Sequence, residues 1–153
     1  MALELKSPAF KHNEFIPKDY TCQGQDISPR LNWLGAPIGT KSFVLICDDP
    51  DAPMGTWVHW VVYDIPANLN SIPECVEREG ILKGDIKQGV TDFGRIGYCG
   101  PCPPPGKLHH YFFKLYALDT MLNLKPGLTK SQVLKEIQGH VLEETELIGL
   151  YKR

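Results

Sequence analysis

The sequence predicts a mainly β protein, and three observations carry that reading. Thirteen prolines and fourteen glycines fall between short apolar stretches and do not gather in a linker, which is the punctuation of strands joined by many turns. Two stretches dense in aromatic and β-branched residues, Trp57 to Ile65 and His109 to Leu118, have the composition of long strands. One segment alone carries helical periodicity. At 153 residues the chain has the size of a single domain, 1–153, and buries roughly 70% of its unfolded surface on folding. No internal repeat or low-complexity tract divides it.

Taken in order, Ala2 to Lys6 alternates apolar and polar residues as an edge strand does, and Pro8 to Pro29 reads mostly as loop. Leu31 and Trp33 share one face of a short strand. Ser42 to Cys47 is a near-continuous apolar run, as expected of a strand buried on both faces. Strict alternation along the next strand places Trp57, His59, Val61 and Tyr63 on one face and Val58, Trp60 and Val62 on the other. Pro66 to Ile96, with Gly80, Gly84, Gly89 and Gly94, has room for brief strands wrapped around the outside. In His109 to Leu118, Lys114 shares a face with His110, Phe112 and Tyr116, so that face should meet water, while His109, Tyr111, Phe113 and Leu115 turn the other way. Thr129 followed by Gln132 makes a capping box, and Val133, Ile137 and Val141 recur every four residues, which predicts a helix ended near Gly139. Glu144 to Tyr151 returns to strand.

Composition limits the function. Forty-two per cent apolar and 22% charged residues are ordinary for a soluble protein, and a net charge of -2 creates no field to gather nucleic acid or anionic lipid. Any bound anion must be held locally. Five cysteines at positions 22, 47, 75, 99 and 102 do not form the even framework of a small secreted domain. The N-terminus lacks a basic segment followed by an apolar run, and Phe43 to Cys47 is too short to cross a bilayer, so no membrane span and a reducing cytoplasm are expected.

Chemistry concentrates in two stretches built alike. Asp48 to Asp64 places three acids and two prolines on a loop before a strand that carries His59, and Tyr98 to Leu118 places a Gly/Pro loop before His109 and His110. The two halves are expected to build one small polar pocket. Pro50 and Pro53 stiffen the acidic loop, so one carboxylate can be aimed while another bonds the turn. Asp48 and Asp51 are the better candidates for plain turn residues, whereas Asp49 is expected to hold the ring of His59 in one tautomer. Paired imidazoles with loop amides suit a phosphate or carboxylate group.

Other motifs are weaker. Cys99-Gly100-Pro101-Cys102 spells a thioredoxin-type redox motif, but Pro103, Pro104 and Pro105 forbid the helix that the first cysteine would start, leaving a reactive thiol or a Cys99/Cys102 disulfide as an alternative. His109 and His110 point to opposite faces of a strand and cannot both join a zinc set, so no metal or cofactor is expected. Gly100 to Lys107 is one residue too long for a P-loop and has Leu108 where Ser or Thr is required. Asp92-Phe93-Gly94 lacks the other kinase signatures and reads as a turn.

Taken together, D-P-D-A-P at 49–53 with W-V-H-W at 57–60, and G-P-C-P-P-P-G-K-L-H-H-Y at 100–111, resemble the two signatures of the phosphatidylethanolamine-binding protein family, which includes the Raf kinase inhibitor proteins and bacterial relatives. I-S-P-R-L-N-W at 27–33 and G-Y-C-G-P-C-P-P at 97–104 extend the likeness over nearly the whole chain. The resemblance implies an antiparallel β-sandwich of two sheets with one or two short helices towards the C-terminal part. It also implies an anion pocket of Asp49, His59, Gly100, Cys102, His109 and Tyr111, supported by Asp51, Pro53, Trp57 and Pro101, with a cis Ala52-Pro53 peptide and a Cys102 amide facing the anion. The family's usual H-R-Y is H-H-Y here, so His110 removes a fixed cation from the rim. Eukaryotic members carry a further C-terminal helix; none is legible here, from which a more open pocket, or a homodimer partner covering it, is expected. The expected partner is a small anionic ligand, a phospholipid headgroup or a phosphorylated protein, with a role in signalling as one extension; binding of Raf-type kinases is not transferred. The competing reading is an Asp/His-dependent hydrolase of phosphoesters or esters, which would need an activated water because no nucleophilic serine motif is present.

Overall fold

A computed structural model describes residues 2–153. Its strands are β1 (Glu4–Lys6), β2 (Glu14–Phe15), β3 (Leu31–Leu34), β4 (Ser42–Asp49), β5 (Trp57–Pro66), β6 (Ser71–Ile72), β7 (Lys87–Gln88), β8 (His109–Leu118) and β9 (Val141–Tyr151), with one α-helix, α1 (Lys130–Ile137), among the described residues. A 3-10 turn at Lys18–Tyr20 interrupts the long N-terminal loop. Strands β1, β3 and β6 form a three-stranded sheet; β2, β9, β8, β4, β5 and β7 form a six-stranded one. The larger sheet is mixed and not purely antiparallel, because β2 runs parallel to β9. The helix expectation resolves to the single α1.

β4 lies between β5 and β8, and all its residues are buried. Its period-2 alternation feeds two cores. Phe43, Leu45 and Cys47 join Trp60, Phe113 and Leu115 with Leu5, Leu31 and Trp33 of the smaller sheet. Val44 and Ile46 join Val61, Tyr63 and the helix residues Val133 and Ile137 on the opposite face. The helix starts where the sequence says it should. Thr129 accepts from the Gln132 N–H at 3.2 Å, and the Gln132 side chain accepts from the Thr129 N–H at 2.9 Å.

The predicted alternation along β5 is corrected by a bulge. Asp48 pairs with Val58 and Cys47 with Trp60, so His59 is an extra residue opposite the gap. Beyond it the faces exchange: Trp60 and Val62 turn to the first core, and Val61 and Tyr63 turn to the second. The β8 pattern holds as expected, with His109, Tyr111, Phe113 and Leu115 buried and the alternating residues half-buried.

These contributions differ in size. Phe113→Ala, which empties a fully buried site, is expected to lower the unfolding free energy by about 3–5 kcal/mol, and Thr129→Ala, which removes one cap, by about 1 kcal/mol, as measured by urea denaturation.

Candidate functional site

The register of the central sheet brings the two chemistry-bearing halves together. β4 ends at Asp49, β8 begins at His109, and the antiparallel pairing of Asp48 with Phe112 sets those ends side by side. The bulge on β5 adds His59 from the other neighbour. A cleft of about 240 Å³ opens there, lined by Asp49, Pro53, Met54, Trp57, His59, Phe93, Cys102, Pro103, Pro104, His109 and Tyr111 with Ala52.

Each imidazole is held through Nδ1 by a different group. Nδ1 of His109 lies 2.6 Å from Asp49 Oδ2, both side chains being buried, while Asp49 Oδ1 accepts the Asp51 N–H at 2.8 Å. Nδ1 of His59 donates to the Cys99 carbonyl at 2.6 Å, and the Cys99 N–H returns a bond to the His59 carbonyl at 3.0 Å. The carboxylate expected to orient His59 therefore orients His109, because the bulge carries His59 towards the Cys99 backbone. Both residues line the cleft, and no well-formed hydrogen bond engages Nε2 of either ring among the described residues. Burial lowers the pKa of His59 below its ordinary value, opposed by the Cys99 hydrogen bond and the Asp49 charge.

Tyr111 packs against both rings, with centroids 5.2 Å from His59 and 6.4 Å from His109. Its hydroxyl is buried beside the Asp49 carboxylate and makes no hydrogen bond of good geometry among the described residues. Burial, and next the negative charge of Asp49, push its pKa far up, so it stays a neutral phenol. Aromatic edges wall one side: Phe93 stands edge-on to Trp57 at 5.7 Å and to His59 at 5.2 Å. Phe93 belongs to the D-F-G stretch, and its neighbour Asp92 pins that turn to β5 by accepting the Val58 N–H at 2.7 Å.

Other expected residues take different places. Gly100 and Pro101 do not line the cleft; the Gly100 N–H donates to Asp26 Oδ1 at 2.7 Å, and a Cβ on Gly100 would strike the Tyr20 carbonyl and that carboxylate. The glycine is required by close approach of the 18–26 loop. Asp51 is no plain turn acid: its Oδ2 accepts from the His110 backbone N–H at 2.8 Å and from His110 Nδ1 at 2.7 Å. Although burial works upward, those bonds and the Lys107 charge hold the Asp51 carboxyl below its usual range. Asp48 is buried on the far face of the sheet and paired with Lys130 at 2.6 Å, so it is not a solvated turn residue. All peptide bonds among the described residues are trans, including Ala52-Pro53, which corrects the expected cis bond.

Cys102 is bridged to Cys22 and not to Cys99, which is a free, buried thiol near the Thr91 hydroxyl. The Cys99/Cys102 redox pair is therefore corrected. The bridge ties the N-terminal loop to the cleft wall, helped by the Cys22 N–H bond to the Pro101 carbonyl at 3.1 Å. Such bridges persist in oxidising compartments and inside hyperthermophiles, so the bridge lends no support to the reducing cytoplasm expected from the cysteine count. Among the described residues no group of three or more His, Cys, Asp or Glu is placed to hold a metal, and no helix is long and apolar enough to cross a membrane. Sequence reasoning missed Phe93, Met54, Cys22 and Asp26. An odd cysteine count gave no signal for Cys22, and Asp26 lies in an otherwise featureless loop.

The chain is thus a two-sheet, mainly β domain with a small His/Asp/Tyr cleft at the ends of its central strands. The family model described as phosphatidylethanolamine-binding protein matches residues 6–152. A UPF0098 protein of Methanothermobacter thermautotrophicus is 52% identical over 151 residues, covering 99% of both chains, and one of Aquifex aeolicus is 52% identical over 153 residues, covering 99% of this chain and 89% of its own. Among solved structures, a phosphatidylethanolamine-binding protein homologue of Chlamydia trachomatis aligns with a TM-score of 0.91 at 40% identity, covering 99% and 98% of the two chains. Escherichia coli YbcL, described as a member of the mammalian family, aligns with a TM-score of 0.93 at 34% identity over 100% and 99%. The chain belongs to the phosphatidylethanolamine-binding protein family.

Two outcomes follow. The unfolded His59 ring titrates near pH ~6.5 and the native ring lower, so below ~6.5 the unfolded chain takes up a proton that the native one refuses, and stability falls with pH by up to ~1.4 kcal/mol per unit until the native pKa is reached. Denaturant titrations between pH ~7 and ~5 should show a shallower fall in His59→Gln than in wild type. Cys22→Ser, which opens a bridge spanning a sequence separation of 80, is expected to cost about 2–4 kcal/mol in the same assay under oxidising conditions.

Proposed function

We propose that the protein is a binding module that captures the phosphate-like or carboxylate group of a small organic ligand in the cleft of Asp49, His59, His109 and Tyr111. The observation that carries the proposal is one small cleft shared by two imidazoles whose Nδ1 atoms are committed to the framework and by the buried Tyr111 hydroxyl, which makes no hydrogen bond of good geometry. A buried polar group without a well-formed hydrogen bond is costly, and a ligand oxygen would satisfy the Tyr111 hydroxyl better than its poorly aligned approach to Asp49. In this reading His109 and Tyr111 donate to the anion, Asp49 and the Cys99 carbonyl orient the rings, and the Cys102 segment closes one wall. The ligand's organic part meets an apolar rim of Pro53, Met54, Phe93 and Pro103. Family membership supports a binding role, and a phospholipid headgroup or a small phosphorylated ligand both present the required group.

Binding that adds a proton to the site strengthens as pH falls, and phosphate monoesters themselves gain a proton near pH ~6. Calorimetric titration with phosphoethanolamine should show affinity rising between pH ~8 and ~6, with His109→Ala weakening it about tenfold or more and Tyr111→Phe by a smaller factor. Equal affinity in wild type and His109→Ala would sink the proposal.

A further inference from the structure

We infer that the cleft discriminates by proton state: it takes a phosphate group that still carries a P–OH, donated to Nε2 of His59, and disfavours a fully deprotonated anion of the same shape such as sulfate. The inference rests on the anion-binding reading above and specifies the ligand form that the site accepts.

A carbonyl only accepts, so the 2.6 Å contact with Cys99 puts a hydrogen on Nδ1 of His59. The Asp49 carboxylate already takes the Asp51 N–H on one oxygen, and its other oxygen lies 2.6 Å from Nδ1 of His109, which places a hydrogen there too. A neutral imidazole has one N–H. Both neutral rings therefore turn a lone pair, and no hydrogen, towards a ligand. An anion without hydrogens would meet two acceptors and a nearby carboxylate, with the Tyr111 hydroxyl as the donor between them.

What stands behind each ring breaks the symmetry. A positive charge on His109 would be balanced by Asp49 at 2.6 Å, whereas buried His59 is backed by the neutral carbonyl of Cys99, with the Gly100 backbone also close. Among the groups facing His59, Asp49 and Asp26 are negative, but Asp26 is engaged by the Gly100 N–H and lies 3.9 Å from Arg78. Tyr111 and the buried Cys99 thiol are its uncharged titratable neighbours, and Trp57 and Phe93 complete the wall. Around His109, Asp51 is tied to His110 with Lys107 nearby, Tyr151 lies across on β9, and the buried Cys47 thiol is pushed up and stays neutral. The carboxylate behind His109 assigns it the donor's place, and the carbonyl behind His59 assigns it the acceptor's. A P–OH fits that pair, while sulfate, which has no hydrogen near neutral pH, sets an anionic oxygen against the His59 lone pair.

The test is calorimetric titration of the intact protein with inorganic phosphate and with sodium sulfate. Phosphate is expected to bind at least ~10-fold tighter than sulfate at pH ~7, with sulfate gaining on phosphate as the pH is lowered far enough below ~6.5 for His59 to acquire the missing hydrogen. Equal affinities at pH ~7 overturn the discrimination and leave the anion-binding reading standing; no binding of either anion overturns both. His59→Gln offers an amide N–H₂ that can donate to sulfate, and circular dichroism verifies its fold. In the folded variant the phosphate-to-sulfate ratio should approach one, and a ratio unchanged from wild type overturns the role given to His59. Should the variant not fold, the wild-type ratio and its pH trend decide alone.

Discussion

The hydrogen-bonded register of β4 against its two neighbours is the constraint on which the molecule depends. β4 is buried on both faces, so a slip of one residue would send Phe43, Leu45 and Cys47 to the helix side and Val44 and Ile46 to the side of the smaller sheet. The same register sets Asp49 beside the start of β8 and puts Asp48 on the far face, where Lys130 neutralises it. Two adjacent aspartates thus have opposite fates because side chains alternate across a strand. Core packing and site assembly are one decision.

The bulge at His59 is the second device. It allows consecutive residues, His59 and Trp60, to serve the cleft and the adjoining core, and it turns the imidazole towards the Cys99 peptide. The two rings consequently have unlike backing, a carbonyl for His59 and a carboxylate for His109. A pair of identical side chains becomes chemically unequal through the groups behind them. The Cys22–Cys102 bridge and the Asp26 bond to Gly100 then hold the Gly/Pro loop against the 18–26 loop, which fixes the remaining wall.

The long elements were legible in the sequence because their signals are local. The apolar run of β4, the aromatic and β-branched density of β5 and β8, and the Thr129/Gln132 box each specify backbone conformation within a few residues. The residues of the candidate cleft were legible because histidines and acids cluster beside strand ends and match family signatures. The parallel pairing of β2 with β9 was not legible, since two exposed residues, Glu14 and Phe15, carry no periodic pattern and join the sheet through backbone bonds to a strand more than a hundred positions away. The bulge was equally invisible: an inserted residue changes the faces of a strand without changing its composition.

By itself the sequence determined that this is a mainly β chain with one capped helix, belonging to a recognisable family, and it marked Asp49, His59, His109 and Tyr111 as candidate site residues. Tertiary structure alone decided that Asp49 holds His109 and leaves His59 to a carbonyl, that Gly100 serves a loop contact, and that Cys102 pairs with Cys22. The physical reason is range. Propensity, capping and alternation act between neighbours in the chain, whereas the partner of a buried polar group is whichever donor or acceptor the packed strands bring within hydrogen-bonding distance.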